Sequence, residues 1–239
     1  MTELSLSIDG PIANLRLNRP EKANALDLAL VEALHDGLDA ATLAGSRLLI
    51  LRGEGRNFCA GFDFTGFDTM TVADLCWRFV RIEQFLQRLA HAPFATLALA
   101  HGGCFGAGAD IVAACDTAIA SEDAKLRMPG WEFGLALGTR RLAARIGAAP
   151  ARQLLENTRV VTGRQALEMR LVDEICAVER WDARVAEAGL SAIALESRAQ
   201  ARLRATLRAD TRAADMAGLI ESLTEGDLKA RIATFRNSR

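Results

Sequence analysis

The chain has 239 residues, half of them hydrophobic, which suffices for one large domain with a sizeable apolar core. A formal net charge of −1 and an aromatic content of 5% argue against nucleic acid, an acidic membrane surface or a base-stacking face as a partner. No apolar run approaches the length of a transmembrane helix, and the N-terminus lacks a signal-peptide pattern, so we expect no membrane partner.

The cysteines are typical of a reducing compartment, and the histidines argue against a zinc site. The five cysteines form no C-x-x-C pair and several lie in apolar runs, which is typical of buried, reduced thiols in a cytoplasmic protein. The three histidines are scattered along the chain, so we expect no zinc site.

The predicted elements begin with two short strands, residues 4–8 and 12–17, that alternate apolar and polar residues around a turn and so indicate a β-hairpin or a pair of edge strands. Asp27 is predicted to cap a helix that runs to about Leu43. A short apolar strand at 48–51, a long amphipathic helix at 71–90 and a buried strand at 94–100 follow.

A glycine-rich segment, His101 to Asp110, joins this last strand to a buried helix that ends near Cys115. Glycines let a backbone run close to a ligand, and free N–H groups at a helix start can hold an oxyanion. Asp110 lies in the first turn of that helix. It is therefore either a helix-start charge or a proton carrier.

The remaining pattern gives strands at 117–120 and 125–128, short helices at 138–146, 150–157 and 163–169, and helices at 182–194, 197–208, 211–223 and 226–235. Strands that alternate with helices over the first 175 residues predict an α/β fold with a largely parallel, helix-covered sheet. We predict a core of residues 1–180 and a helical C-terminal region, 181–239, that acts as a lid, an oligomerisation arm or both.

Four motifs stand in order over roughly residues 4–180. They are Asn18-Arg19-Pro20-Glu21-Lys22-x-Asn24-Ala25-Leu26, Phe58-Cys59-Ala60-Gly61-x-Asp63, Gly103 to Asp110 with Cys115-Asp116 behind it, and Thr162-Gly163…Ala166…Leu171-Val172-Asp173. Together they resemble the crotonase (enoyl-CoA hydratase/isomerase) superfamily. The resemblance implies a spiral of ββα units with a helical C-terminal region, an acyl-CoA thioester as substrate, and a homotrimer or a dimer of trimers.

The resemblance also implies an oxyanion hole. Chemistry at the α carbon of a thioester passes through an enolate, which needs two N–H donors from two loops. The matching positions are Phe62 and Ala107. The substrate- and CoA-binding residues implied by the same motifs are Lys22, Ala23, Ala25, Ala60, Gly61, Asp63 and Gly106. Lys22, Ala23 and Ala25 match the loop for the adenine and phosphate end of CoA, and the alternative for this loop is an ordinary exposed turn.

The predicted acids depart from the hydratase pattern. The resemblance implies two glutamates, and the first position is Asp110, which keeps the carboxylate with a shorter side chain. The second position, after Pro129, is Gly130, which cannot carry a proton. If this segment is extended, Glu132 faces the same side as Gly130 and replaces the missing acid. The alternative is an exposed or salt-bridged glutamate. The following segment, 133–142, is also shorter than the family pattern.

We therefore predict an acyl-CoA-processing enzyme of the enoyl-CoA hydratase or isomerase type, with Asp110 and Glu132 as catalytic residues and no metal or cofactor beyond the CoA of the substrate. The alternatives are another enolate reaction, such as decarboxylation or C–C cleavage, or acyl-CoA binding without turnover. A dinucleotide site is excluded because Ile111 stands where a third glycine or alanine is needed, and no G-x-S-x-G supports a serine hydrolase. Cys59 and Cys104 are predicted core residues and His101 a turn or core residue.

Overall fold

The computed structural model describes residues 3–238, so the predictions that touch Met1, Thr2 and Arg239 lie outside the described residues. The strands are β1 (Leu4–Asp9), β2 (Ile12–Leu17), β3 (Leu48–Gly53), β4 (Ala95–Ala100), β5 (Gly103–Phe105), β6 (Thr117–Ala120), β7 (Lys125–Arg127), β8 (Val161–Thr162) and β9 (Glu174–Ile175). The helices are α1 (Leu28–Leu43), α2 (Val72–Ala90), α3 (Ala107–Ala114), α4 (Thr139–Ile146), α5 (Ala148–Asn157), α6 (Gly163–Glu168), α7 (Trp181–Ile193), α8 (Ser197–Leu207), α9 (Arg212–Thr224) and α10 (Leu228–Asn237). Short 3-10 turns lie at Pro20–Lys22, Phe67–Thr69, Gly130–Phe133 and Val178–Arg180.

Two sheets organise the chain, and the predicted α/β class is confirmed. The larger has the order β1-β2-β3-β4-β6-β9 and is parallel except for the β1–β2 hairpin. The smaller has the order β5-β7-β8, with β5 and β7 parallel and β8 antiparallel to β7. Because β4 belongs to the first sheet and β5 to the second, the glycine-rich segment lies where the chain passes between them.

Local sequence accounts for where the main helices begin. Asp27 caps α1 because its carboxylate accepts a hydrogen bond from the Leu30 N–H at 2.8 Å. At the start of α2, Thr71 and Asp74 form a reciprocal capping box, in which each side chain accepts a bond from the other residue's N–H. Such caps satisfy N–H groups that a helix leaves without partners and are worth about 1 kcal/mol each.

The structure differs from the predicted elements at several places, and the short strands β5, β8 and β9 were not predicted. Helix α5 begins at Ala148, two residues before the predicted start at Pro150, because a proline in the first helical turn removes no helical hydrogen bond. Strand β7 ends at Arg127 rather than Met128. Residues Gly130–Phe133 form a 3-10 turn rather than an extended segment, with Gly134 in the left-handed conformation after it.

The alternation of buried residues along the central strands places helices on both faces of the larger sheet. On β3, Leu49 and Leu51 belong to the main core under α1, α2 and α3. Leu48 and Ile50 face the other way, into a smaller core with Trp181 of α7. This two-sided burial is the pattern expected of parallel strands covered by helices.

A third apolar core joins the C-terminal helices to the rest of the chain. Leu219 and Leu223 of α9 and Ile232 and Phe235 of α10 are buried together with Phe79 of α2, and Phe133 and Leu135 lie in the same cluster. The assignment of residues 181–239 to a lid or an oligomerisation arm stays a prediction. Among residues 3–238, no helix combines the length and the apolar character needed to cross a membrane.

Candidate active site

Two loops meet at the start of α3. The Cys59 N–H donates to Gly103 O at 3.1 Å, and the Phe105 N–H donates to Cys59 O at 2.9 Å, so the segment after Phe58 runs beside β5 as an extra strand. Gly61 has a φ of +84°, and a Cβ there would lie 2.5 Å from Phe105 O and 3.2 Å from Ala107 N. Only glycine allows this approach. The contact brings the predicted segments around Phe62 and Ala107 together.

The two predicted donor groups are free to bind a ligand. The Leu26 N–H donates to Gly61 O at 2.7 Å and the Asp63 N–H donates to Leu26 O at 3.1 Å, which holds the chain on both sides of Phe62. Within residues 3–238, neither the Phe62 N–H nor the Ala107 N–H has a hydrogen-bond partner. Ala107 is the first residue of α3, where a helix leaves N–H groups unpaired and its dipole favours negative charge.

Asp110 lies one turn into α3 and is 4% exposed. Its Oδ1 is buried and has no hydrogen-bond partner in the described part of the chain, so the side chain does not cap its own helix. Burial away from water raises the pKa of Asp110 to about 8, because desolvation disfavours the charged form. This environment fits the predicted proton carrier better than the alternative of a helix-start charge.

Gly138, the residue immediately before α4, lies directly against the Asp110 carboxyl group. It has a φ of +68°, and a Cβ at this position would be 1.8 Å from Asp110 Oδ1. A side chain here would displace Asp110. Sequence analysis identified Gly138 as a helix start and did not connect it with Asp110, since the two are distant in sequence.

A buried ion pair lies beside Asp110 on neighbouring helices, and sequence analysis missed it. Arg141 of α4 donates to both carboxylate oxygens of Glu83 on α2, at 2.8 and 2.5 Å, and the Glu83 side chain is 1% exposed. Asp215 of α9 lies 3.5 Å from the same guanidinium. Arg141 lowers the pKa of Asp110, although less than burial raises it, and Glu83 raises it further. The sequence feature that could have revealed this ion pair is Glu83, a glutamate on the apolar face of α2 between Phe79 and Leu86.

Phe62, Ala107 and Asp110 line an apolar pocket whose empty volume, including the part open to solvent, is about 610 Å³. It is lined by Ala60, Phe62, Phe64, Phe79, Phe105, Gly106, Ala107, Asp110, Met128, Pro129, Gly130, Trp131, Phe133, Leu135, Leu137, Leu155 and Phe235. Asp110 is the one titratable side chain among these described lining residues. The larger hollow beside α1 and α2, lined by His35, Arg81 and Arg88, is remote from both loops.

Glu132 is not among the lining residues. Its Oε1 accepts hydrogen bonds from Arg127, at 2.5 Å, and from the Thr158 hydroxyl. The condition on which its predicted role rested, an extended segment, is wrong, because a 3-10 turn rotates successive side chains by about a third of a turn rather than a half. Gly130 itself lines the pocket, and a Cβ at this position would lie 3.2 Å from Leu135 O.

The predicted CoA loop packs against the segment that carries Gly61. Ala23 and Asn24 have φ values of +49° and +55°, and the Ala60 N–H donates to Ala23 O at 2.9 Å. The Asn24 side chain, which is fully buried, holds the loop through bonds to Arg19 N, Glu54 O and Asn57 O.

The remaining predicted CoA residues border this loop. Lys22 is exposed at its tip, and Ala25 is buried, with its carbonyl accepting from Arg19. The Asp63 carboxylate is also paired with Arg19, at 3.0 Å. Asp63 therefore orders the loop through this ion pair, and Lys22 is the exposed cation.

The other candidate residues near the glycine-rich segment have structural partners. Cys59 and Cys104 are buried, and burial raises the pKa of the Cys59 thiol to about 12, so it is a core residue as predicted. His101 bonds to Gly55 O at 2.9 Å and packs its ring edge against Trp181. It fixes a turn, as predicted, and is not among the residues that line the pocket.

Comparison with known proteins identifies the family. A family model described as enoyl-CoA hydratase/isomerase matches residues 7–224, which is most of the chain. The chain belongs to the enoyl-CoA hydratase/isomerase family. The resemblance of the four motifs to the crotonase superfamily is thereby confirmed, and so is the crotonase-like fold class.

The chain covers between about half and nearly all of the length of its relatives in the enoyl-CoA hydratase/isomerase family. A probable enoyl-CoA hydratase of Bacillus subtilis (strain 168) is 34% identical over 197 residues, 78% of this chain and 76% of that protein. A crystal structure of an enoyl-CoA hydratase/isomerase from Bordetella parapertussis is 43% identical, covers 98% of both chains and superposes with a TM-score of 0.97. An ethylmalonyl-CoA decarboxylase of Mus musculus is 28% identical over 172 residues, 69% of this chain and 52% of that protein.

Proposed function

We propose that this member of the family is an enoyl-CoA isomerase that moves the double bond of a 3-enoyl-CoA into conjugation with the thioester. The Asp110 carboxylate removes a proton from the α carbon, and the electron pair of that C–H bond delocalises into the thioester, whose oxygen becomes an enolate. The same carboxyl group then returns the proton to the γ carbon. Substrate and product are isomers, so no water is consumed and no metal or cofactor beyond the CoA of the substrate is required.

One observation carries this proposal: in the described lining of the pocket, Asp110 is the single side chain that can exchange a proton. Hydration of a double bond needs one group to activate water and a proton for the α carbon, tasks that two acids divide most simply. Isomerisation needs one group that accepts and returns the same proton. With Gly130 at the second position and Glu132 paired with Arg127, the pocket suits isomerisation.

The unpaired N–H groups of Phe62 and Ala107 would hold the enolate oxygen. Their value lies in being fixed before the reaction, because Gly61 and the start of α3 set their positions. Loss of one such donor typically costs about 3–4 kcal/mol of transition-state stabilisation. The proposal includes a CoA-binding role for the loop at Lys22, Ala23 and Ala25.

The proposal extends to a homotrimer or a dimer of trimers. Its support is the exposure of apolar side chains on the C-terminal helices, among them Leu190 at 69% and Leu207 at 78%.

Decarboxylation is a second candidate, favoured by the name of the mouse relative, an ethylmalonyl-CoA decarboxylase. Loss of carbon dioxide from a malonyl-type thioester also leaves an enolate on the thioester oxygen. The same two N–H groups would hold it, and Asp110 in its protonated form would supply the proton to the α carbon.

The deciding experiment follows the absorbance of the conjugated thioester. We expect it to rise when the purified protein is given a 3-enoyl-CoA and to stay constant with crotonyl-CoA, whose hydration would lower it. Release of carbon dioxide from ethylmalonyl-CoA, with no reaction of the 3-enoyl-CoA, would replace isomerisation with decarboxylation. Binding of these esters without any reaction would instead support the alternative that the protein binds acyl-CoA without turnover.

The acid assignment is tested with two matched variants. Asp110→Asn is expected to lower isomerase turnover by about 10²–10⁴-fold, the usual contribution of a positioned acid or base. Glu132→Gln removes a carboxylate of the same region that is held by Arg127 and Thr158, and we expect it to retain turnover within about threefold. A large loss in Glu132→Gln alone would restore Glu132 as the proton carrier.

A further inference from the structure

The acyl pocket, defined by the lining residues given above, has an exposed rim and a buried base. At the rim, Trp131 is 45% exposed, whereas Phe133, Leu135 and Phe235 are 6%, 4% and 4% exposed. Phe133 and Phe235 therefore belong to the buried part of the lining, away from the exposed side chain of Trp131. Phe235 belongs to α10, near the C-terminal end of the chain.

A row of aromatic rings leads from the predicted oxyanion loop to this base. The Phe62 ring stacks on Phe79 with centroids 4.4 Å apart, and Phe79 lies 6.5 Å from Phe133. Phe133 in turn packs against Phe235 at 4.8 Å. Since Phe62 carries one of the free N–H groups, an acyl chain bound there by its thioester would extend along the row, and Phe235 stands at its far end.

Helix α10 is fixed in this position. Arg231 donates to Phe133 O at 2.8 Å and to Ser222 O at 2.7 Å, so one guanidinium ties α10 to the turn under the pocket and to α9. Leu228 and Ile232 on the same helix are 1% and 0% exposed. Close-packed interiors give way little to an oversized group, so the base resists a long chain.

We propose that Phe235 is a specificity-determining residue that closes the acyl pocket and restricts this protein to short acyl chains. The proposal rests on the proposed function in that the ligand is an acyl-CoA. It goes further in assigning the chain length of the substrate to a side chain of the C-terminal helix. It does not depend on which reaction the site performs.

The test is a binding series with butyryl-, hexanoyl- and decanoyl-CoA, measured by calorimetry. These esters have no double bond, so their affinity is measured whether or not the protein is an isomerase. In the wild type we expect decanoyl-CoA to bind no more tightly than hexanoyl-CoA. In Phe235→Ala we expect decanoyl-CoA to gain roughly tenfold in affinity, the gain from burying about two further methylene groups, while butyryl-CoA changes by less than about threefold.

A control variant separates the pocket from general destabilisation. Ile232→Ala removes a buried side chain from the same helix and the same apolar core, but Ile232 does not line the pocket, so we expect the wild-type chain-length profile. Relaxed chain length in Ile232→Ala, or an unchanged profile in Phe235→Ala, would overturn the proposal.

The outcomes also distinguish this proposal from the proposed function. Wild-type affinity that rises steadily from butyryl- to decanoyl-CoA would overturn the assignment of Phe235 and leave the isomerase untouched. Short-chain selectivity that Phe235→Ala relaxes, in a protein that converts no 3-enoyl-CoA, would support the assignment and contradict the isomerase. Failure of all three esters to bind would overturn both.

Discussion

In the proposed reaction, the protonation state of one carboxyl group, that of Asp110, decides which step the site can perform. An aspartate in water has a pKa of about 4, so its carboxylate is a weak base. Burial raises the pKa of Asp110 to about 8, and its Oδ1 has no hydrogen-bond partner in the described part of the chain. A conjugate acid with a pKa near the working pH is well matched to both accepting and returning a proton. The same residue type at an exposed helix start would lack this property.

The pH profile of the proposed isomerase tests this state. Because the first step requires the carboxylate, we expect kcat/KM to rise about tenfold per pH unit below the pKa of Asp110 and to level off above about 8. Initial rates with a 3-enoyl-CoA between pH 6 and 9.5 check the profile. A rate that falls over this range would mean that the protonated form of Asp110 is the active one, which would contradict proton removal by its carboxylate.

The charge of Glu83 should move this profile. Glu83 raises the pKa of Asp110 and neutralises Arg141, so Glu83→Gln leaves the arginine charge to act on Asp110. We expect the midpoint of kcat/KM to shift down by about one pH unit, as for a nearby opposite charge.

Stability serves as the second measurement on Glu83→Gln. Breaking a buried ion pair costs about 3–5 kcal/mol, which urea unfolding will show even if turnover is retained. Glu132→Gln is the control, because its ion pair lies outside the pocket. If Glu83→Gln is destabilised but the midpoint of its kcat/KM profile does not move, the Glu83–Arg141 pair has only a structural role.

At the scale of elements, the start of α4 packs against the start of α3 where Gly138 meets the Asp110 side chain. We expect Gly138→Ala to lower isomerase turnover at least about tenfold, because a Cβ would lie 1.8 Å from Asp110 Oδ1 and a misplaced catalytic group is costly. Gly45→Ala is a matched control. Its φ of +67° is close to the +68° of Gly138, yet nothing lies within 4 Å of the added Cβ.

Both variants are expected to lose about 1–2 kcal/mol of unfolding free energy from the left-handed backbone. Only Gly138→Ala should also lose turnover. Equal turnover in the two variants would show that Asp110 does not depend on the contact with α4.

Elements with a regular pattern were predictable, and short irregular ones were not. The β1–β2 hairpin, the cap at Asp27 and the long helix α2 follow from alternation, a capping residue and helical periodicity, which are local properties. The turn at Gly130–Phe133 has only four residues, and its backbone is held by bonds such as Leu135 N–H to Gly130 O at 2.9 Å. An assumed extended geometry there led to the wrong orientation for Glu132.

For the whole molecule, arginine side chains connect the C-terminal helices to the sheet. Arg204 of α8 and Arg208, the residue that follows this helix, both bind Asp116. Asp116 also accepts bonds from the Thr96 N–H and hydroxyl at 2.8 and 2.9 Å. Arg47, before β3, donates to Leu195 O at 2.6 Å and to Gln200 at 3.0 Å. These arginine side chains therefore join segments that are far apart in the sequence.

The stability of the whole fold should depend on pH through Asp110. Between the unfolded value of 3.8 and about 8, the folded protein keeps a proton that the unfolded chain has lost. The contribution of Asp110 is therefore fully present below about pH 4 and is lost as the pH rises to about 8, by about 1.4 kcal/mol per unit. Asp110→Asn removes this dependence.

Urea unfolding at pH 6 and pH 9 checks the effect. We expect the wild type to lose more unfolding free energy between these two values than Asp110→Asn, by about 3 kcal/mol. Glu132→Gln should behave like the wild type. Equal losses in all three proteins would mean that the folded state does not hold the proton on Asp110.

The sequence by itself determined the α/β class and the family, and it predicted that the segments around Phe62 and Ala107 meet and that Asp110 is the candidate proton carrier. These follow from local periodicity and from motifs whose glycines permit close approach of two backbones. Only the tertiary structure decided what surrounds Asp110: Gly138 against its oxygen, the Glu83–Arg141 pair beside it, and Phe235 at the base of the pocket. The physical reason is that desolvation, charge and pocket length depend on residues far apart in the chain, and no local pattern shows which of them meet.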